Sequence, residues 1–189
     1  MIKAGINDEF TTALLSDTTP IPMEDDWFAP LIGDWDFVWT GSDGRSAEGE
    51  WFFRRVLEGR AIEDIYICPS RATRDSNPQP DGEYGAAFRM YNKENHCYDM
   101  TYINEFCTTR LEVRKAGEKI QCSVISPDAE ECNKWVFSEI TPRYISLAEH
   151  HCIEGRQRVR QRRGACAQKV SLKTAAGRTQ PLPPARLGG

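Results

Sequence analysis

Nowhere in these 189 residues does an apolar run approach the roughly 18 positions that a membrane-spanning helix needs. No Cys-x-x-Cys pair occurs among the seven cysteines (68, 97, 107, 122, 132, 152 and 166), and their number is odd. That pattern speaks against a disulfide framework and a zinc knuckle, and reduced thiols are expected. A large charge excess is lacking too. The net charge of −4 and pI near 5.5 provide no general attraction to nucleic acid or an anionic membrane. Met1 to Thr19 hold one lysine and no apolar h-region, so no secretory signal is read and a cytoplasmic location is expected. There is no internal repeat of the solenoid kind.

What is present is alternation. The length suits one domain able to bury a core. Ten strands are expected, at about 34–40, 47–57, 60–68, 83–91, 97–106, 108–115, 118–126, 132–140, 143–153 and 156–168. Turn chemistry separates them: Gly41-Ser42-Asp43-Gly44, Glu58-Gly59, Ala116-Gly117, Thr141-Pro142 and Glu154-Gly155. One connection is long, Pro69 to Gly82, and reads as a lid or rim. Before the strands, Asn7 is placed to cap a helical turn at Asp8–Leu15, and Thr18 to Pro22 breaks it. Glu24–Ile32 reads as a short helix whose apolar face, Trp27, Phe28, Leu31 and Ile32, would cap one end of a barrel. The division expected is an N-terminal extension (1–23), a β-barrel (24–172) and a disordered tail (173–189).

Short turns decide which residues lie opposite one another, so each hairpin predicts a face that its neighbour must match. A turn at Glu58-Gly59 puts Trp51, Phe53 and Arg55 on one face with Ile62, Asp64 and Tyr66, and Trp35, Phe37 and Trp39 extend it. A turn at Ala116-Gly117 sets Val113 against Ile120 and Leu111 against Cys122. Across Thr141-Pro142, Trp135 meets Ala148, Phe137 meets Ser146 and Asn133 meets His150. A turn at Glu154-Gly155 sets Ala148 against Gln161. Phe88, Met90, Tyr98, Met100, Tyr102 and Asn104 complete the interior. The opposite face carries Phe52, Ile65 and Ile67, an apolar set that offers a homodimer surface.

That interior mixes aromatic with polar side chains. Eight strands are filled by side chains, whereas ten leave room for a ligand, and buried polar groups need partners. A pocket follows, with Trp39, Trp51, Phe53, Arg55, Tyr66, Phe88, Met100, Tyr102, Asn104, Asn133, Trp135 and Gln161 as ligand-binding candidates. His150 and Asp64 are the candidates for acid–base chemistry, since an inward histidine titrates near neutrality and a desolvated carboxyl can act as base. A hydrogen-bonded interior histidine and a structural Arg55–Asp64 pair are the structural alternatives.

Leu31-Ile32-Gly33-Asp34-Trp35, Leu57 to Asp64 and Tyr84-Gly85-Ala86-Ala87-Phe88-Arg89-Met90-Tyr91 resemble bacterial lipocalin-like (calycin) domains of the DUF1579-related kind. The resemblance covers about residues 28 to 168. It implies a closed antiparallel barrel with a small-molecule pocket, and it makes Arg163 the stacking partner of Trp35. The chain departs from that pattern in its shortened Glu154-Gly155 turn and arginine-rich final strand.

Metal binding is not expected, because the neighbours His150 and His151 point to opposite faces of a strand. No cofactor is expected either. Haem stays as an alternative, since one inward histidine suffices for an axial ligand. Nitrobindins bind it in ten-stranded barrels, but their glycine-rich first strand is replaced here by Asp36-Phe37-Val38-Trp39. Arg156, Arg158, Arg160 and Arg162 form a basic ridge without the interleaved aromatics of a nucleic-acid groove. The expected function is a pocket protein for a hydrophobic or aromatic small molecule. The alternatives are a cofactor-independent isomerase, cyclase or lyase, a haem barrel, and an interaction module using the outer patch.

Overall fold

The computed structural model describes residues 11, 13–40, 44–78, 82–125, 131–141, 144–153 and 169–174. Nine consecutive strands run β1 (Gly33–Thr40), β2 (Ser46–Val56), β3 (Ala61–Cys68), β4 (Glu83–Asn92), β5 (Cys97–Asn104), β6 (Thr108–Ala116), β7 (Lys119–Val124), β8 (Glu131–Thr141) and β9 (Tyr144–Ile153). Each pairs antiparallel with the next, so the chain folds as one all-β meander curled around a single core. The expected tenth strand at 156–168 lies outside the described residues, and with it Gln161, Arg163 and the arginine ridge. So do Asn7 and the tail beyond 174.

The front of the sheet follows the turn arithmetic. Phe53 stands opposite Asp64 and Trp51 opposite Tyr66, and all four are buried. Leu57, Glu58 and Gly59 turn the chain with positive φ. Gly59 has no room for a side chain, since a Cβ there would meet the Thr18 carbonyl at 1.8 Å. Thr19 Oγ1 donates to the Gly59 carbonyl at 2.6 Å, and Ser16 N to that of Arg55 at 3.0 Å. The segment before β1 is thereby strapped to the β2–β3 turn.

Three other features depart from expectation. The β6–β7 turn uses Gly117-Glu118 rather than Ala116-Gly117, with Gly117 at φ 63° supplying the left-handed conformation such a turn requires. The slip changes partners but keeps Leu111, Val113, Ile120 and Cys122 inside. Between β8 and β9, a bulge with Glu139 at φ 53° moves the register by one. Trp135 then lies opposite Glu149, Phe137 opposite Leu147, and Asn133 opposite His151; His150 pairs with Lys134. The expected helix over Glu24–Ile32 is only a 3₁₀ turn, Ala29–Leu31. Pro30 sits at its start, where the missing N–H costs nothing, and an α-helix running through that position would lose a bond.

That turn still plugs one end of the sheet. Phe28 and Leu31 are fully buried, and Phe28 packs edge-on against Tyr98 and Phe137 with centroids 5.2 and 6.1 Å apart. Arg55 clamps Asp26 with both terminal nitrogens, at 3.0 and 2.6 Å, so it belongs to this floor. Tyr98 donates to the Asp25 carbonyl at 2.8 Å. Trp35, also buried, donates from Nε1 to the Leu31 carbonyl at 2.7 Å. The Gly-x-Trp motif is thus tied to the plug.

The long connection after β3 folds back on the outer face of β2. Arg71 donates to the buried Glu50 carboxylate through its backbone and guanidinium, and its Cζ lies 5.3 Å from the Phe52 ring centroid. Of the expected outer apolar set, Phe52 is therefore partly covered, whereas Ile65 is 45 % exposed.

Inside β2, Gly49 stands opposite Phe37, whose ring lies across it. A Cβ at Gly49 would come within 2.0 Å of that ring, which is already stacked on Tyr66 at 4.7 Å. Gly49→Ala is expected to cost about 1–3 kcal/mol by overpacking. Urea unfolding measures it, and an unchanged midpoint would contradict this packing.

Candidate functional site: a pocket above a buried Arg–Asp pair

Strand β4 decides the site. Its bulky apolar residues suggest that Phe88 and Met90 face inward, but the register reverses this. Phe88 pairs with Glu63 and Thr101 and is 38 % exposed, and Met90 is also exposed. Glu83, Gly85, Ala87 and Arg89 take the inner face. Phe88 is therefore not a pocket residue. The reason is a charge match: Asp64 on β3 is only 1 % exposed, and Arg89, equally buried, donates from Nη1 to its Oδ2. A buried carboxylate without a partner would be far costlier than two exposed apolar side chains.

Trp51 completes the group by donating from Nε1 to Asp64 Oδ1 at 2.5 Å. Both carboxylate oxygens are thus engaged. The Arg89 guanidinium carbon lies 4.9 Å from the Phe28 ring centroid and 5.6 Å from that of Phe53, where aromatic faces favour a cation. Arg89 Nε is sealed from solvent and has no acceptor among the described residues. Phe53 supports this pair and does not line the pocket.

Above the pair the interior opens. The cavity is lined by Trp51, Asp64, Tyr66, Glu83, Ala87, Arg89, Met100, Tyr102, Trp135 and Leu147. It has about 90 Å³ of inner space, or about 580 Å³ once its open mouth is counted. Tyr102 and Trp135 meet edge to face at 5.2 Å, as do Trp51 and Tyr66 at 5.3 Å. At the mouth, Tyr102 Oη and Asn104 Nδ2 both donate to Glu83 Oε1, at 2.6 and 2.7 Å. Gly85 makes this possible, because a Cβ there would sit 2.1 Å from the Tyr102 hydroxyl.

Burial above all, then Cys68 and Glu83 nearby, pushes the Tyr66 phenol well above its ordinary range. Burial and then Glu83 do the same to Tyr102. Tyr98, in the floor, is raised by burial and by Asp26. These hydroxyls are neutral donors at physiological pH. Burial also pushes the Cys122 thiol up to about 12, which leaves it inert as a nucleophile.

The structure thus gathers Trp51, Asp64, Tyr66, Met100, Tyr102 and Trp135 around one cavity, with Asn104 at its rim. Arg55 lies in the floor, and Trp39 is half-buried with the Arg45 guanidinium 5.9 Å from its ring centroid. Asn133 and His150 occupy neighbouring register positions, opposite His151 and Lys134. Glu83, Ala87, Arg89 and Leu147 were not anticipated. For three of them the signal was the small and charged residues alternating at 83, 85, 87 and 89.

No family model matches the chain, and no curated protein matches it. Among solved structures it is similar to a redesigned β-barrel, b11L5F_LGL, with 9 % identity, TM-score 0.39, and coverage of 77 % of this chain and 91 % of the other. It is also similar to EF1p2_mFAP2b bound to DFHBI, with 11 % identity, TM-score 0.41, and coverage of 79 % and 98 %. The chemistry of the site has to come from its own residues.

Two outcomes follow from this geometry. Arg89→Met is expected to destabilise the fold by about 3–5 kcal/mol, because it strands a buried carboxylate. The double variant Asp64→Asn/Arg89→Met should regain most of that loss, since the introduced amide oxygen can still accept from Trp51. Denaturant titrations of the singles and the double decide it, and strictly additive losses would contradict the pairing. The raised phenols set an alkaline limit as well. Unfolded tyrosines ionise near 10, the reference value, whereas the folded ones resist. Stability should be at its full value below about pH 10 and fall as pH rises above it. Thermal melts from pH 8 to 11 test this, and a flat profile would oppose it.

Proposed function

We propose that the sheet closes into a ten-stranded lipocalin-like barrel and that its pocket binds one small hydrophobic or aromatic molecule. Closure is supported by the short strand β10 (Lys169–Thr174), whose backbone lies in antiparallel register with both β1 and β9: Leu172 stands opposite Phe37 on one side and Ile145 on the other. The observation that carries the binding reading is the lining itself. Four aromatic and three other apolar side chains surround a few polar groups that already hold one another in place, the usual composition of a ligand site. The modest inner volume suits a single ring, with the rest of the molecule in the mouth.

Binding is favoured over acid–base turnover for a specific reason. Asp64 has both oxygens occupied by Trp51 and Arg89, so it holds the wall and is poorly placed to collect a proton. The tyrosines are donors, not bases, near neutral pH.

Titration with the uncharged dye N-phenyl-1-naphthylamine tests the reading. Its emission should rise on binding to the native protein and should be lost in Leu147→Trp, which fills the cavity, while the melting temperature is kept. Equal dye binding by the filled variant would refute the pocket as the site.

A further inference from the structure

The pocket carries an unbalanced charge at a defined point. Asp64 is neutralised by Arg89, the only cation among the described residues that line the cavity. Glu83 has no such partner. Its two hydrogen bonds come from neutral groups, Tyr102 and Asn104, and both fall on Oε1. They hold the carboxylate in one orientation and leave Oε2 without a donor among the described residues. Tyr66, Tyr102 and Trp135 line the same cavity, and the faces of such rings favour a cation. Burial first, with the negative field of Glu83 among the lesser causes, raises the phenols of Tyr66 and Tyr102.

An anionic ligand would meet that field with no free cation to receive it. A neutral one would offer Oε2 either no donor or only an uncharged hydrogen bond when it displaced water from the mouth, the weaker of the two kinds. A protonated amine satisfies both demands through a charge-assisted bond. The inner cavity, walled by Ala87, Met100 and Leu147, takes the apolar part.

We infer that the pocket is selective for small arylalkyl amines, with the ammonium group on Glu83 Oε2 and the ring in the cavity above the Arg89–Asp64 pair. This rests on the small-molecule reading of the same cavity but can fail independently of it.

The test compares three probes of nearly equal shape by isothermal calorimetry at pH 7: 2-phenylethylamine, 2-phenylethanol and 3-phenylpropanoate. The amine should bind at least tenfold more tightly than the alcohol, and the carboxylate should bind weakest. In Glu83→Gln the amine should lose at least tenfold while the alcohol stays within about twofold, a melting curve confirming the fold. The ranking in the unaltered protein stands on its own should that variant fail to fold. Equal affinities for amine and alcohol, preference for the carboxylate, or no binding of the amine would each overturn the inference. Binding of the naphthylamine dye would still separate such a failure from failure of the pocket itself.

Discussion

The rest of the molecule is arranged around one buried ion pair, Arg89 with Asp64. Two charges removed from water are costly, and their attraction offsets the cost only when the geometry is good and the remaining polar atoms are satisfied. Here Trp51 takes the second carboxylate oxygen, while Phe28 and Phe53 present their rings to the guanidinium. That requirement reaches four separate parts of the chain: the plug before β1, and strands β2, β3 and β4. It also sets the phase of β4, sending Phe88 and Met90 outward against their hydrophobicity. The pair divides the interior into a packed floor below and a cavity above.

The two halves have different tasks. Below the pair, Phe28, Leu31, Tyr98 and Phe137 pack together at the end of the sheet, and the Arg55–Asp26 clamp holds the plug to β2. Above it, packing is given up. Ala87 contributes only a methyl group to the lining, and the bare Gly85 lets Tyr102 lie over it to reach Glu83. A cavity in a core forfeits contact energy, so a sequence that maintains one, lined with ordered polar groups, is organised around something that fills it.

Much of this was legible before the structure. Alternation and turn residues gave nine strands to within a residue or two at most ends, and the Glu58-Gly59 turn placed Trp51, Phe53, Asp64 and Tyr66 on the inner face. Motif-level resemblance pointed to the same all-β architecture. What was not legible depended on long-range compensation. Within β4 the alternation of small and charged residues at 83, 85, 87 and 89 marks one face without saying which way it points; only Asp64, 25 residues earlier, makes the inward phase favourable. The β8–β9 register depended on a bulge at Glu139, a positive-φ residue with no glycine to announce it. One residue of slip there replaced the expected Asn133–His150 pairing with Asn133–His151. Arg55 pairs with Asp26 of the plug, 29 residues before it, and not with Asp64 on the neighbouring strand, a contact that no local pattern signals.

The inward, locked position of Arg89 is the claim on which floor, cavity and ligand site all depend. It is tested most directly by NMR hydrogen exchange of the Arg89 Nε–H, assigned by its disappearance in Arg89→Lys. A side chain sealed between β3 and the plug should show a resolved resonance at pH 7 that exchanges orders of magnitude more slowly than those of exposed arginines. Exchange as fast as that of a solvated guanidinium would place Arg89 outside and undo the account.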